Sequence, residues 1–188
     1  MIARLLMVMA LAAVCAPAAA QDRCEGLSIA TLIEPRSPDY DETEGVDEPI
    51  RLTVTRSAVR NNCRFFINFV SEAGGGRERF LTGSGAELRY EIIEENGQVL
   101  ENTTRGRDRL RGRFRRNETE LEVTVRVTIP SGQVVPAGEY RERIAVRLFD
   151  QRGGGRLVDE QGLTLRSRVH SRAEINLARQ PGQSFDAG

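Results

Sequence analysis

The chain has 188 residues, of which 39% are hydrophobic and 5% aromatic, and it contains no tryptophan. Its 27 basic residues are all arginine and are balanced by 27 acidic residues, so the formal net charge is zero. This balance excludes a general electrostatic attraction to nucleic acid or anionic membranes. Length and composition predict one domain plus an appendage, with a core of valine, isoleucine and leucine.

The first twenty residues have the pattern of a secretory signal. Arg4 supplies the positive start, residues 5–14 form a short apolar segment, and residues 18–20 are a small-residue cleavage motif. We therefore predict cleavage between Ala20 and Gln21, and export of the mature chain to the periplasm and then to the cell surface. The apolar segment is shorter than the roughly 20 residues that cross a bilayer, so no membrane span is expected.

Two cysteines remain in the mature chain, Cys24 and Cys63, because Cys15 lies within the signal. An isolated pair of cysteines in an oxidising compartment is expected to form a disulfide. A disulfide between Cys24 and Cys63 would stabilise the fold by roughly 3–4 kcal/mol by restricting the unfolded chain. The alternative is a pair of free thiols.

Alternating apolar and polar residues predict β-strands along most of the mature chain, and helical periodicity is absent outside the signal. The predicted strands are Ser28–Ile33, Ile50–Arg56, Arg64–Val70, Glu87–Glu94, Glu120–Ile129, Tyr140–Phe149 and Leu163–Leu177. Glycine-containing turns separate them, and Asn96-Gly97 is a strong hairpin signal. Short strands at regular spacing predict an all-β, immunoglobulin-like sandwich.

Residues 34–48 form an acidic segment with two prolines, Pro35 and Pro38. The prolines predict a surface loop whose main role is solvation, and its carboxylates could partner the arginines at residues 105–116. No EF-hand pattern accompanies these carboxylates, so no metal site is predicted.

Arginine occupies every odd position from 105 to 115. On an extended backbone these side chains share one face, which makes a candidate anion-binding stripe of Arg105, Arg107, Arg109, Arg111, Arg113 and Arg115. Bidentate guanidinium contacts could hold anionic polysaccharide, lipid phosphate or extracellular DNA. The favoured interpretation is instead a solvated edge whose charges prevent edge-to-edge pairing, and Gly106 and Gly112 argue against a regular strand here.

The most regular alternation lies in residues 120–150, where two predicted strands flank a turn region containing Pro130, Gly132, Pro136 and Gly138. We interpret these strands as a pair, a closing hairpin of the sandwich. The segment carries no catalytic group, which favours binding and assembly over catalysis.

Enzymatic patterns are missing from the sequence. It has no Gly-x-Ser-x-Gly elbow, no cysteine–histidine constellation and no zinc spacing. Its only histidine, His170, has an even number, and the even-numbered residues of the last predicted strand are expected to face outward. We predict a protein that is not an enzyme, with no catalytic residue and no cofactor.

Three ordered blocks, over roughly residues 24–149, resemble the spore coat U domain, the fold of subunits in archaic chaperone–usher pili. The first is the cysteine pair, and the second is the stretch from Arg79 to Tyr90, an arginine followed by a glycine-containing turn and a strand ending in Leu-x-Tyr. The third is Gly132-Gln133 followed by the turn Pro136-Ala-Gly-Glu-Tyr140 before an alternating strand.

The resemblance implies a sandwich that lacks one strand and so exposes a hydrophobic groove. A periplasmic chaperone would fill the groove first, and a neighbouring subunit's N-terminal extension would replace it at the usher, by strand addition. The expected partners are the chaperone, the usher and other fibre subunits. Adhesion and biofilm formation would involve an anionic polysaccharide or an abiotic surface, with no specific nucleic acid.

The sequence departs from the family pattern at both ends of the domain, residues 21–150. Only residues 21–23 precede Cys24 in the predicted mature chain, too few for a donor strand, which favours a tip component that accepts a strand and donates none. Beyond Asp150, residues 151–188 form an extension in which alternation resumes at Leu163.

Two interpretations of this extension stay open. Leu163–Val169 fills the domain's own groove, or Ala173–Leu177 begins a second domain. The first is favoured because no further core follows.

Two functions remain. The favoured one is an exported structural or adhesive subunit of a surface fibre, assembled by strand complementation. The alternative is a free-standing secreted or periplasmic sandwich that binds an anionic ligand through the stripe of residues 105–116.

Overall fold

The computed structural model describes residues 24–57, 62–73, 77–102, 109–151 and 155–170. Ten strands run through these ranges: β1 Ser28–Ile33, β2 Asp39–Tyr40, β3 Val46–Thr55, β4 Cys63–Ser71, β5 Arg79–Gly83, β6 Ala86–Glu94, β7 Leu110–Phe114, β8 Glu120–Ile129, β9 Gly138–Asp150 and β10 Arg156–Val169. Within those ranges no helix occurs, and so none is long and apolar enough to cross a membrane.

The strands form two layers. In the first sheet the order is β1, β3, β8, β6, and in the second β9 lies between β10 on one edge and β4 and β5 on the other. Strand β6 joins the layers, since residues 86–90 pair with β5 and residues 91–94 pair with β8. The protein is therefore an all-β, immunoglobulin-like sandwich, as the strand spacing predicts.

The N-terminal strands also pass from one layer to the other. Strand β1 is antiparallel to β3 in the first sheet, whereas β2 is parallel to β10 in the second. Residues 28–40 therefore close one side of the sandwich.

The predicted alternation of β8 and β9 is confirmed. Val125, Val127 and Ile129 of β8 are buried, and so are the even-numbered residues of β9 from Tyr140 to Asp150. The prediction that these strands pair as a hairpin is wrong. Strand β8 pairs with β3 and β6, and β9 pairs with β4, β5 and β10. Because alternation specifies a buried face and not a pairing partner, two strands facing each other across the core satisfy it equally well.

Three strands, β2, β5 and β7, were not predicted from the sequence. In addition, β3 begins at Val46, inside the predicted acidic loop. Strands β5 and β6 form a two-residue hairpin through Ser84 and Gly85, both with positive φ (49° and 72°), the conformation that matches strand twist. The predicted Asn96-Gly97 turn is present, but it leads to a single bridge between Ile93 and Val99.

Tyr140 explains the Pro-Ala-Gly-Glu-Tyr turn at the start of β9. Its ring is fully buried, and its hydroxyl donates a hydrogen bond to the carbonyl of Pro136 at 2.7 Å. This is the tyrosine-corner arrangement of immunoglobulin-like sandwiches, which fixes the chain where it enters a central strand.

Gly112 is the residue that allows β7 to pack. It lies opposite Phe65 of β4, whose buried ring occupies the space where a Cβ would stand. The glycine that argued against a strand is therefore covered by a cross-strand aromatic ring, a known remedy for glycine in sheets.

We expect Gly112→Ala to lower the free energy of unfolding by about 1–3 kcal/mol, because Phe65 is fully buried and has little room to yield. Denaturant unfolding followed by circular dichroism measures the change. Arg113→Ala, at the exposed neighbouring position, is the control and should stay within about 0.5 kcal/mol of the parent. Equal stability of all three proteins would contradict this account of β7.

Candidate functional site: the complementing strand and the arginine face

Strand β10 runs antiparallel to β9 from Arg156, opposite Asp150, to Val169, opposite Gly138. Its inward residues complete the core, since Leu163, Leu165 and Ser167 have exposed fractions of 0%, 2% and 2%. The predicted alternation of the extension, with odd-numbered residues facing the core, is thus present in the structure up to Val169. Predicted strand residues beyond His170 lie outside the described ranges.

The opposite edge of β10 contacts residues 28–40. The amide of Ile29 donates to the Asp159 carboxylate at 2.8 Å, and the Gln161 side chain donates to the Ile29 carbonyl at 2.6 Å. Further along, the Ser167 hydroxyl donates to the Pro38 carbonyl at 3.0 Å. Strand β10 therefore lies between β9 and the N-terminal segment, where it closes the sandwich.

The predicted disulfide joins Cys24 to Cys63, with the Cα atoms 5.3 Å apart. The Cys24 amide also donates to the Asp150 carboxylate at 3.2 Å. The disulfide attaches the start of the described chain to β4, and closing this 39-residue separation contributes about 4 kcal/mol in the chain-entropy model.

Part of the predicted arginine stripe lies on β7, an edge strand that pairs only with β4 among the described strands. Arg111, Arg113 and Arg115 are exposed and Arg109 is half-buried. Arg105 and Arg107 lie outside the described ranges, as do the predicted cleavage residues Ala20 and Gln21. Arg111 and Arg113 also line a cleft of about 520 Å³ whose other residues include Glu94, Glu95 and Glu122.

The stripe belongs to a larger surface, the outward side of the second sheet, which we call the arginine face. By register, β4 adds Arg64, β9 adds Arg141, Arg143 and Arg147, and β10 adds Arg166 and Arg168. Two of these arginines are ion-paired, Arg143 with Glu72 at 3.2 Å and Arg147 with Glu160 at 2.6 Å.

An aromatic stack crosses the same face. The rings of Phe66 and Phe149 are parallel within 11° and their centroids are 4.7 Å apart. The Arg109 guanidinium lies over Phe66, 4.5 Å from the ring centroid, which is a cation–π contact. The stack fixes Arg109 on the arginine face.

The acidic segment pairs with other cations. Asp47 forms an ion pair with Arg126 on β8, and Asp39 contacts the Nε2 atom of His170 at 3.1 Å. The described residues contain no group of three or more side chains suited to holding a metal ion.

A buried arginine lies inside the sandwich at the start of β5. The Nη2 group of Arg79, a residue only 3% exposed, donates to the carbonyls of Phe69, Leu100 and Glu101 at 2.6, 3.5 and 3.1 Å. Burial lowers the pKa of Arg79, and the nearby groups of Tyr90 and Glu142 oppose that change.

Glu142 of β9 supplies the buried negative charge. Its carboxylate accepts hydrogen bonds from the hydroxyls of Tyr90 and Ser71, and the Ser71 amide donates to the Asn102 side chain at 2.8 Å. Together with Arg79 these residues form a network that links β4, β5, β6 and β9.

Solved structures similar to this chain are fimbrial and pilus subunits and adhesins. The chain is 11% identical to CfaE, the adhesive subunit of CFA/I fimbria of enterotoxigenic Escherichia coli, with a TM-score of 0.46 over 79% of this chain and 49% of that one. Against the CupB6 tip adhesin from Pseudomonas aeruginosa the identity is 10% and the TM-score 0.49, over 79% and 44% of the two chains.

The CssB subunit of enterotoxigenic Escherichia coli colonization factor CS6, complemented with a donor strand from CssA, is 12% identical with a TM-score of 0.46, over 76% of this chain and 99% of that one. The chain spans about half the length of CfaE and CupB6. No family model matches it. No curated protein matches it either.

The buried tyrosines predict a loss of stability at alkaline pH. Burial raises the pKa of Tyr90, and the charge of Glu142 raises it further; burial also raises the pKa of Tyr40 and Tyr140. The unfolded chain therefore loses tyrosine protons near pH 10 that the folded chain keeps. Stability from this source is complete below about pH 10 and falls as the pH rises further.

Because the chain has no lysine, tyrosines dominate its titration between about pH 10 and 12. Tyr90→Phe should make the decline of unfolding free energy in this window shallower, by up to about 1.4 kcal/mol per pH unit. Denaturant titrations at several pH values measure the slope. An unchanged slope would show that Tyr90 ionises equally in both states.

The sequence did not predict that Arg79 is buried. It also did not predict that arginines from four strands lie on one face. The parity of Arg79 with Leu81 in β5 could have indicated an inward arginine. Arg64, Arg141 and Arg166 have outward parity in their strands, but only the register between strands shows that they share a surface.

Proposed function

We propose that this protein is an exported structural or adhesive subunit of a surface fibre of the chaperone–usher kind, whose sandwich is completed in cis by β10. The observation that carries the proposal is the position of β10. It is antiparallel to β9 along its whole length and inserts Leu163 and Leu165 into the core, which is the geometry of strand addition.

The three sequence blocks that resemble the spore coat U domain support the same proposal through their structural roles. The cysteine pair attaches the N-terminal segment to β4, the Arg79–Tyr90 block forms the β5–β6 hairpin with its buried arginine, and Tyr140 forms the corner before β9. Each block therefore has a defined structural role in the sandwich.

We further propose a terminal, adhesive position in the fibre. A tip subunit accepts a donor strand, so joining the fibre would require that strand to displace β10 from beside β9; while β10 is docked, this sandwich would not polymerise through that edge. A periplasmic chaperone would be needed only until β10 docks. We propose that the role of the extension, residues 151–188, is to complete the sandwich. The alternative is that part of it begins a second domain.

The test compares the mature chain, residues 21–188, with a chain ending at Asp150, both exported without a chaperone. We expect the longer chain to be a soluble monomer that unfolds cooperatively. The shorter chain should aggregate, because an unfilled groove exposes strand edge and apolar side chains. A synthetic peptide of residues 156–169 should restore its solubility, and the matched peptide with Leu163→Asn and Leu165→Asn should not.

Equal solubility and melting of the two chains would reject complementation by β10. Membership of a fibre is tested separately by searching for chaperone and usher genes adjacent to its own and by coexpression with a chaperone found there. The truncated chain should form a complex with that chaperone. The absence of such a complex, together with a stable longer monomer, would favour the free-standing sandwich.

A further inference from the structure

We propose that the arginine face binds a linear acidic polysaccharide, a chain of uronate residues, along the outer surface of the second sheet. The inference does not depend on membership of a fibre. It rests on the distribution of charge over β7, β4, β9 and β10.

Arginines that take part in no ion pair among the described residues lie at both ends of the face. The first arginine cluster consists of Arg64, Arg111 and Arg113, and the second consists of Arg141 and Arg166. Between them lie the ion pairs of Arg143 and Arg147. Among the described residues, no side-chain ion pair engages Arg64, Arg141 or Arg166.

Each cluster contains two arginines directly opposite each other. Arg64 faces Arg113 across β4 and β7, and Arg141 faces Arg166 across β9 and β10. Like charges in directly opposed positions destabilise a sheet. The fold thus holds two repulsive pairs on one surface, an arrangement that a bound polyanion would relieve.

The distance between the two arginine clusters favours a polymeric ligand over a small anion. Arg64 lies beside Gln151, whose amide donates a hydrogen bond to the Arg64 carbonyl. Gln151 directly follows β9 and is ten residues beyond Arg141 of that strand. At about 3.3 Å per residue the clusters are about 30 Å apart. A single phosphate or lipid headgroup contacts one cluster, whereas an extended chain reaches both.

The aromatic stack favours a sugar acid over a nucleic acid. Single-stranded nucleic acids bind by stacking bases on exposed aromatic faces. Here one face of Phe66 is covered by Phe149 and the other by Arg109. The guanidinium groups remain suited to bidentate contact with carboxylates.

The first sheet provides the contrast within the same molecule. Its outward side carries Arg51 and Arg126, with Asp47, Glu120 and Glu122. Positive charge is therefore concentrated on one side of a chain whose total formal charge is zero. Such segregation directs anionic ligands to the arginine face.

The experiment measures binding of the mature chain to polygalacturonate at low and at physiological salt, by biolayer interferometry on the immobilised polymer. Two variants each remove one opposed pair, Arg64→Ser with Arg113→Ser, and Arg141→Ser with Arg166→Ser. We expect each to weaken binding about tenfold at low salt, since two charge-assisted contacts are lost. Their melting temperatures should equal or exceed the parent's, because a repulsive pair is removed.

The matched control is Arg51→Ser with Arg126→Ser, which removes the same charge from the first sheet and should retain parental binding. Trigalacturonate, too short to reach both clusters, should bind weakly and respond to only one of the two variants. Short single-stranded DNA and vesicles containing anionic lipid serve as competing ligands and should bind less tightly than polygalacturonate.

Three results would overturn the proposal. In the first, both face variants bind as the parent does. In the second, the control loses as much affinity as they do, which would indicate general charge attraction. In the third, DNA or vesicles bind more tightly than polygalacturonate, which would assign the face to a phosphate ligand.

Discussion

Replacing Arg79 by methionine is expected to lower the free energy of unfolding by about 3–5 kcal/mol, because several buried polar groups lose their partner at once. The variant loses the hydrogen bonds to three backbone carbonyls and removes the positive charge that the nearby Glu142 attracts. A typical domain is stable by only 5–15 kcal/mol, so the loss is a large part of the total.

Guanidinium unfolding monitored by circular dichroism measures this change. Arg79→Met combined with Glu142→Gln should recover part of the loss, because the buried negative charge near position 79 is then removed as well. Arg89→Met is the control, since its ion pairs with Glu78 and Glu91 are exposed and contribute about 0–1 kcal/mol. An Arg79→Met variant as stable as Arg89→Met would contradict the role assigned to the buried network.

The sequence predicted those strands whose two faces differ most. Strands β8 and β9 alternate over ten and thirteen residues and bury valine, isoleucine and leucine on one side, so a period of two was visible. Strand β7 has only five residues, of which two are arginine and one glycine. Its inward positions depend on Phe65 from a distant part of the chain, and that contact leaves no local signal.

Pairing partners were less predictable than strands. The hairpin expected between β8 and β9 does not form, although their alternation is as predicted. Local periodicity fixes which side of a strand is buried, whereas the choice of partner depends on contacts distant in sequence. The same limit applies to the arginine face, whose members come from β4, β7, β9 and β10.

Arg79 shows where residue type misleads. Arginine is almost never fully buried unless it is paired, and nothing beside Arg79 in the sequence reveals a partner. Its hydrogen-bond partners are Phe69 of β4, Tyr90 of β6 and the segment after β6, which only the folded chain brings together. Only the Nη2 group of Arg79 has hydrogen-bond partners among the described residues, whereas its buried Nε and Nη1 atoms have none, so the network is partly satisfied and its cost depends on how the strands around it are arranged.

Truncating the inward leucines of β10 is expected to destroy most of the fold. Leu163→Ala and Leu165→Ala should each cost about 2–5 kcal/mol, because both side chains are at most 2% exposed and their loss leaves cavities in the core. The two residues line one face of the same strand, so their effects need not add. The combined loss is comparable with the entire stability of a typical domain.

The matched control changes the outward residues of the same strand, Thr164→Ala with Arg166→Ala, and should leave stability within about 0.5 kcal/mol or raise it slightly. Thermal and denaturant unfolding of both double variants, with solubility after export, measure the difference. If the leucine variant is as stable as the control, β10 is an appended strand and the core is complete without it. A large loss confined to the leucine variant instead makes β10 part of the folding unit, as complementation in cis requires.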